Sequence, residues 1–90
     1  MREPDQIARI APDWNRPLDW PITLSDGSQL CSLSDARAFV LGLSEETQRK
    51  ATWQCVADLL ISAAERVDRI HELTVQMEEA LFFEGRLRVE

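Results

Sequence analysis

The chain is poor in the residues that carry chemistry. Its 90 residues include one histidine, His71, and two cysteines, Cys31 and Cys55, which form no CxxC pair. A structural zinc site wants four Cys or His ligands, so that class is excluded. A di-metal carboxylate site repeats Glu-x-x-His, and a single histidine cannot supply it. Neither cysteine has a cation within two positions to depress its pKa, so both read as inert thiols in a reducing cytoplasm. A Cys31–Cys55 disulfide is the lesser alternative. No cofactor signature is present, and none is expected to be bound.

Positive charge is scarce too. Ten Lys+Arg stand against 16 Asp+Glu, for a net charge of −6. Sequence-independent nucleic-acid binding relies on cations that neutralise phosphates, so that function is excluded. An anionic membrane surface is disfavoured for the same reason. Apolar runs are short: Leu59-Leu60-Ile61 falls far below the ~20 residues that span a bilayer. The stretch from Met1 to Trp14 is polar and holds Pro4 and Pro12, so no signal peptide is expected.

What remains is ordinary globular material, 44% hydrophobic and 29% charged. A chain this short is one domain with a thin core, burying about 60–65% of its unfolded surface. Residues 1–13 read as a flexible N-terminal arm and 14–90 as one small α+β domain. All four prolines fall within the first 21 residues, and glycine occurs only at Gly27, Gly42 and Gly85. These breakers divide the chain.

Proline-rich Trp14 to Pro21 is expected to be extended. Its two large indoles, Trp14 and Trp20, are expected to lie across the domain. Ile22-Thr23-Leu24 and Gln29-Leu30-Cys31 flank Asp26-Gly27, a hairpin signal. A two-residue turn would pair Ile22 with Cys31. A three-residue loop with Gly27 in a left-handed bulge would pair Ile22 with Leu30. The second puts Trp20, Ile22, Leu24 and Leu30 on one face, which favours it.

A short helix over 33–42 follows, capped by Ser32 or Ser34 with Asp35 in the capping-box position. Its face is Leu33, Ala36, Phe39, Val40 and Leu43, and Gly42 is expected to close it as a left-handed cap. Ser44 then opens a long helical region, 44–84, with Glu45 and Glu46 in its first turn. Trp53, Val56, Leu60, Ala63, Val67, Ile70, Thr74, Met77 and Leu81 alternate at spacings of 3 and 4, as in a coiled-coil seam. Asp58, Glu65, Glu72 and Glu79 lie opposite. A helical hairpin facing a core has the same spacing, and Leu59 and Leu73 broaden the stripe in that direction. The region is therefore either continuous or broken near 65–68, with Asp68 as a candidate N-cap. Gly85 ends it, and the tail Arg86 to Val89 either adds an edge strand or frays.

Catalysis is not expected. His71 has Asp68 and Glu72 nearby on a helix but no Ser or Cys nucleophile in register. Glu45-Glu46 and Glu78-Glu79 are adjacent pairs, which point to different faces. Ile61, Val75, Phe82 and Phe83 form an apolar surplus off the seam. Either the arm with Trp14 and Trp20 covers them or a second chain does. The expected function is a non-enzymatic, regulatory protein-interaction module. Its interaction residues would be Trp14, Trp20, Ile61, Val75, Phe82 and Phe83. The alternative is a structural homo-oligomer, most simply a homodimer, built on the helical repeat.

Three strings carry a resemblance: Trp14-Asn-Arg-Pro-Leu-Asp-Trp20-Pro-Ile-x-Leu-x-Asp-Gly27, Leu33-Ser-Asp-Ala-Arg37 and Trp53-Gln-x-x-x-x-Leu59-Leu-x-x-Ala-Ala-Glu65. Over residues 14–65 the chain resembles small alphaproteobacterial, rhizobial-type proteins of unknown function. That resemblance implies an α+β miniature domain and carries over no activity, cofactor or site residue. In those proteins a Gly follows Ala-Ala-Glu and breaks the helix, whereas Arg66 stands there in this chain.

Overall fold

A computed structural model describes residues 12–88. The expected N-terminal arm, apart from Pro12 and Asp13, lies outside the described residues, as does Val89 of the tail. The fold is α+β: a two-stranded antiparallel hairpin, β1 (Pro17–Thr23) and β2 (Gln29–Ser32), followed by helices. The helices are α1 (Leu33–Leu41), α2 (Glu45–Gln48), α3 (Ala51–Glu65) and α4 (Ile70–Phe83), with a 3₁₀ turn over Val67–Arg69 between the last two.

The hairpin takes the bulged register. Ile22 pairs with Leu30 and Thr23 with Gln29. Leu24 N–H donates to Ser28 O at 2.8 Å, and Gly27 has φ +95, which only glycine adopts without strain. The Asp26 carboxylate accepts from the Ser28 hydroxyl and backbone N–H. These bonds hold its pKa below the usual value. Farther along β1 the ladder is irregular between Pro17 and Ile22. Alternation survives this: Leu18, Ile22 and Leu24 are buried and Trp20 is half-buried on the same face. The extended stretch starts later than expected, since Trp14 and Asn15 form a turn. The tail adds an isolated bridge, Leu24 to Leu87, with Arg88 N–H donating to Thr23 O at 3.0 Å.

Ser32 caps α1, accepting from the Asp35 N–H, while Asp35 in return accepts from the N–H of Cys31 at 2.9 Å. The left-handed cap expected at Gly42 does not form. Gly42 has φ −84 and ψ −7, a right-handed conformation. The last turn closes on itself instead: Gly42 N–H donates to Ala38 O and Phe39 O and Leu43 N–H to Val40 O, each at 3.1 Å, and the Gln48 side-chain amide adds bonds to Val40 O at 3.0 Å and Leu43 O at 2.9 Å. A Cβ at Gly42 would meet Ala38 O and Phe39 O at 3.5 Å, an ordinary contact. Gly42→Ala is therefore expected to stabilise the fold by about 0.4–1 kcal/mol, chiefly by restricting the unfolded chain. A lower Tm in a thermal melt would contradict this.

The region 44–84 is broken twice. Ser44 caps only a single turn, α2, which ends at Gln48. Lys50 is extended (φ −64, ψ 143) and α3 starts after it. No Gly or Pro marks this break. The Gln54 side-chain amide donates to Gln48 O at 2.8 Å and so satisfies a carbonyl of the interrupted helix. The second break is at Arg66, extended with φ −134 and ψ 117. Asp68 does not cap α4. Arg69 occupies that position without a side-chain capping bond, and Asp68 pairs with Arg66 at 2.9 Å.

Broken there, α3 and α4 fold back on each other. Trp53, Val56, Leu60 and Ala63 from α3 meet Ile70, Thr74, Met77 and Leu81 from α4, all buried. Val67 is the exception, 64% exposed in the 3₁₀ turn. The seam that would have driven a dimer is thus covered within one chain, alongside Ala64, Leu73 and Ala80. Gly85, at φ +72, closes α4 in a Schellman motif: Arg86 N–H donates to Leu81 O and Gly85 N–H to Phe82 O.

Thr74 ties the sheet to this pair. Its hydroxyl donates to Ile70 O at 2.8 Å and accepts the Asp19 N–H at 3.2 Å. The open ends of α3 and α4 are joined by Glu84, which takes Lys50 Nζ at 3.0 Å and Trp53 Nε1 at 3.4 Å. The Lys50 bond, then the Trp53 bond, holds the Glu84 carboxyl below its ordinary value of 4.5. A depressed carboxylate stabilises the fold above its unfolded pKa, and that contribution is lost as pH falls through the folded pKa. Glu84→Gln is accordingly expected to lower Tm at neutral pH and to match wild type once pH falls well below 4.5. A Tm difference that persists undiminished into acid would refute it.

Candidate functional site

The residues singled out by sequence fall in three places. Trp14 and Ile61 come together. Asp13 N–H donates to Ala64 O at 2.8 Å at the end of α3, and Ser34 N–H donates to Trp14 O at 2.9 Å at the start of α1. These bonds hang the Trp14 indole across the two helices. The Arg37 guanidinium lies over its ring at 5.0 Å. Trp14 then closes one wall of a groove of about 290 Å³ between α1 and α3. Val40, Ala57 and Leu60 line it, with Leu41 and Ile61, 63% and 53% exposed, at its mouth. Arg37 is its one charged lining residue.

Trp20 belongs to a different face. Its Nε1–H donates to Glu78 Oε2 at 2.9 Å, and its ring meets His71 edge-on at 5.8 Å. His71 Nδ1 lies 2.6 Å from Asp19 Oδ2, so its partner comes from β1 and not from Asp68 of its own neighbourhood. This Asp–His pair is exposed. No Ser, Thr or Cys hydroxyl or thiol is among the hydrogen-bond partners of His71 in the described residues. The pair fastens the strand to α4.

Phe82 and Phe83 form the third place, at the far end of α4. Their rings sit 5.8 Å apart and are 57% and 75% exposed. Val75, on α4, is 38% exposed. Neither tryptophan is paired with either phenylalanine, and Val75 is absent from the groove.

Sequence reasoning missed Leu41, Arg37 and Ala57. Leu41 carried a usable signal, because it stands off the face formed by Leu33, Ala36, Phe39 and Val40 just as Ile61 stands off its seam. Arg37 and Ala57 carried none, since only helix packing brings them beside Trp14. Both cysteines are free and exposed. Among the described residues no group of three or more His, Cys, Asp or Glu could hold a metal ion, and no helix is long and apolar enough to cross a membrane. No protein-family model, curated protein or solved structure matches this chain.

Proposed function

We propose that this chain is a non-enzymatic, regulatory protein-interaction module of the cytoplasm. One observation carries the reading: Trp14, Leu41 and Ile61 leave an open apolar groove between α1 and α3. Exposing such residues costs hydration free energy that burial against a partner recovers, at roughly 25 cal/mol per Å². The reducing compartment is supported by the two unpaired, exposed thiols. The net charge of −6 speaks for protein partners over nucleic acid or anionic membrane.

The test is a pull-down from native lysate with wild type and with Leu41→Ser, Ile61→Ser. Both positions are exposed, so the variant is expected to fold within about 0.5 kcal/mol of wild type. A stoichiometric partner held by wild type and lost by the variant is the expected result. Wild type that holds none, or a variant that holds it equally well, refutes the reading.

A second reading, a homodimer, is favoured by the exposed Phe82–Phe83 pair alone. A two-fold contact would bury both pairs against each other. Light scattering on wild type and on Phe82→Ser, Phe83→Ser decides it. A wild-type monomer at tens of micromolar ends this reading.

A further inference from the structure

We propose that the α1–α3 groove docks an amphipathic helix whose apolar anchors are bordered by lysine or arginine. The proposal rests on the docking function inferred above and adds the chemistry of the partner. A groove of about 290 Å³ sits at the bottom of the ~300–1,000 Å³ range for small-molecule sites, and only Arg37 among its lining residues carries charge. Small-molecule sites converge several polar groups, which this one lacks. One or two aliphatic anchors suit it better.

Secondary structure selects a helix. Added strands need a free sheet edge with unpaired N–H and C=O groups. The groove runs between two α-helices, whose backbone groups are bonded within the helices, and the Trp14 indole closes it. A helix laid along them presents anchors at i and i+3 or i+4, and Leu41 and Ile61 offer apolar walls for these.

Charge selects the border. On α3, Asp58 stands three residues before Ile61 and Glu65 four after it, which places all three on one helix face. All three are exposed. The α3 side of the groove is lined by Ala57, Leu60 and Ile61, and outside that lining two exposed carboxylates, Asp58 and Glu65, flank Ile61 on a chain of net charge −6. A partner with cations on that border gains Coulomb attraction, while one with carboxylates is repelled. Arg37 lies on the α1 side over Trp14. The partner's edge there is neutral or acidic.

The probe is a synthetic 14-residue peptide with Leu at i, i+3, i+4 and i+7 spacings, Lys along one border of that stripe and Gln elsewhere. Its counterpart has Glu for every Lys. Binding to the full chain is measured by calorimetry and by Trp emission, with Trp14→Phe identifying the reporter. The Lys peptide is expected to bind, and the Glu peptide at least about tenfold more weakly, with the difference shrinking as salt rises. Leu41→Ser, Ile61→Ser keeps every charge and should abolish binding. Asp58→Asn, Glu65→Gln keeps every anchor and should weaken it about tenfold, whereas Glu79→Gln, on α4, which does not line the groove, should not.

Equal binding of both peptides overturns the basic partner while leaving the docking function standing. Binding that survives loss of Leu41 and Ile61 means adhesion to acidic surface and overturns the site. No binding by wild type overturns the proposal as well. If binding then appears in Ile7→Ser, Ile10→Ser, the chain's own N-terminal segment is the occupant. If wild type is a dimer that Ile61→Ser dissociates, the occupant is a second copy, and the proposal is equally overturned.

Discussion

Trp53→Ala is expected to unfold the protein or bring it close to unfolding. The indole is 1% exposed, lies 6.0 Å from the Phe39 ring, and donates its N–H to Glu84. Removing a buried aromatic of this size costs about 3–5 kcal/mol, because the cavity closes only partly. Total stability of a domain is about 5–15 kcal/mol, and a 90-residue chain sits toward the low end. Each kcal/mol moves Tm by about 4–8 °C at this size, so a fall of at least about 12 °C is expected in a circular-dichroism melt. Trp53→Phe should recover more than half of the loss by refilling most of the volume. A shift under about 5 °C for Trp53→Ala would show that α1, α3 and the end of α4 do not meet on this residue.

Leu73→Ala and Val67→Ala are expected to differ sharply, in the order opposite to their heptad positions. Val67 stands on the 3,4-spaced seam and Leu73 stands off it. In the fold Val67 is 64% exposed and Leu73 is 0% exposed. Leu73→Ala should therefore cost about 2–5 kcal/mol and Val67→Ala less than about 0.5 kcal/mol. Urea denaturation of the two variants against wild type measures both, with unchanged m-values confirming that only stability moved. Comparable losses at the two sites would mean the helical region runs on through residue 67 as a continuous coil.

These two residues show how far periodicity reaches. Spacing assigns residues to one face only while the helix continues in one direction. Once the chain turns back at Arg66, a residue in the turn faces water whatever its heptad position. After the turn α4 also packs under β1, with Asp19 N–H on the Thr74 hydroxyl. A helix covered on two sides buries a wider stripe than the seam, which takes in Leu73 and Ala80. The groove was half legible for the same reason. Ile61 and Leu41 stand off their own helices' buried faces, yet nothing local says that the two faces adjoin.

The amino-acid sequence by itself determined the features whose physics is local. Alternation and Asp26-Gly27 set the hairpin register, because slipping it by one would put Leu30 on the opposite face from Ile22 and Leu24. Ser32 and Ser44 started helices because their hydroxyls reach N–H groups three residues on. Gly85 stopped α4 because the left-handed conformation there strains every other residue. Only the tertiary structure decided where the helical region breaks, that Gly42 stays right-handed, and which partner His71 takes. Each of these depends on a group distant in sequence or on another element: the Gln48 amide on α1 carbonyls, the Gln54 amide on Gln48, and Asp19 of β1 beside α4. Side-chain bonds from one element to the backbone of another, and strand-to-helix pairs, leave no period in a sequence, because their partners are chosen by packing.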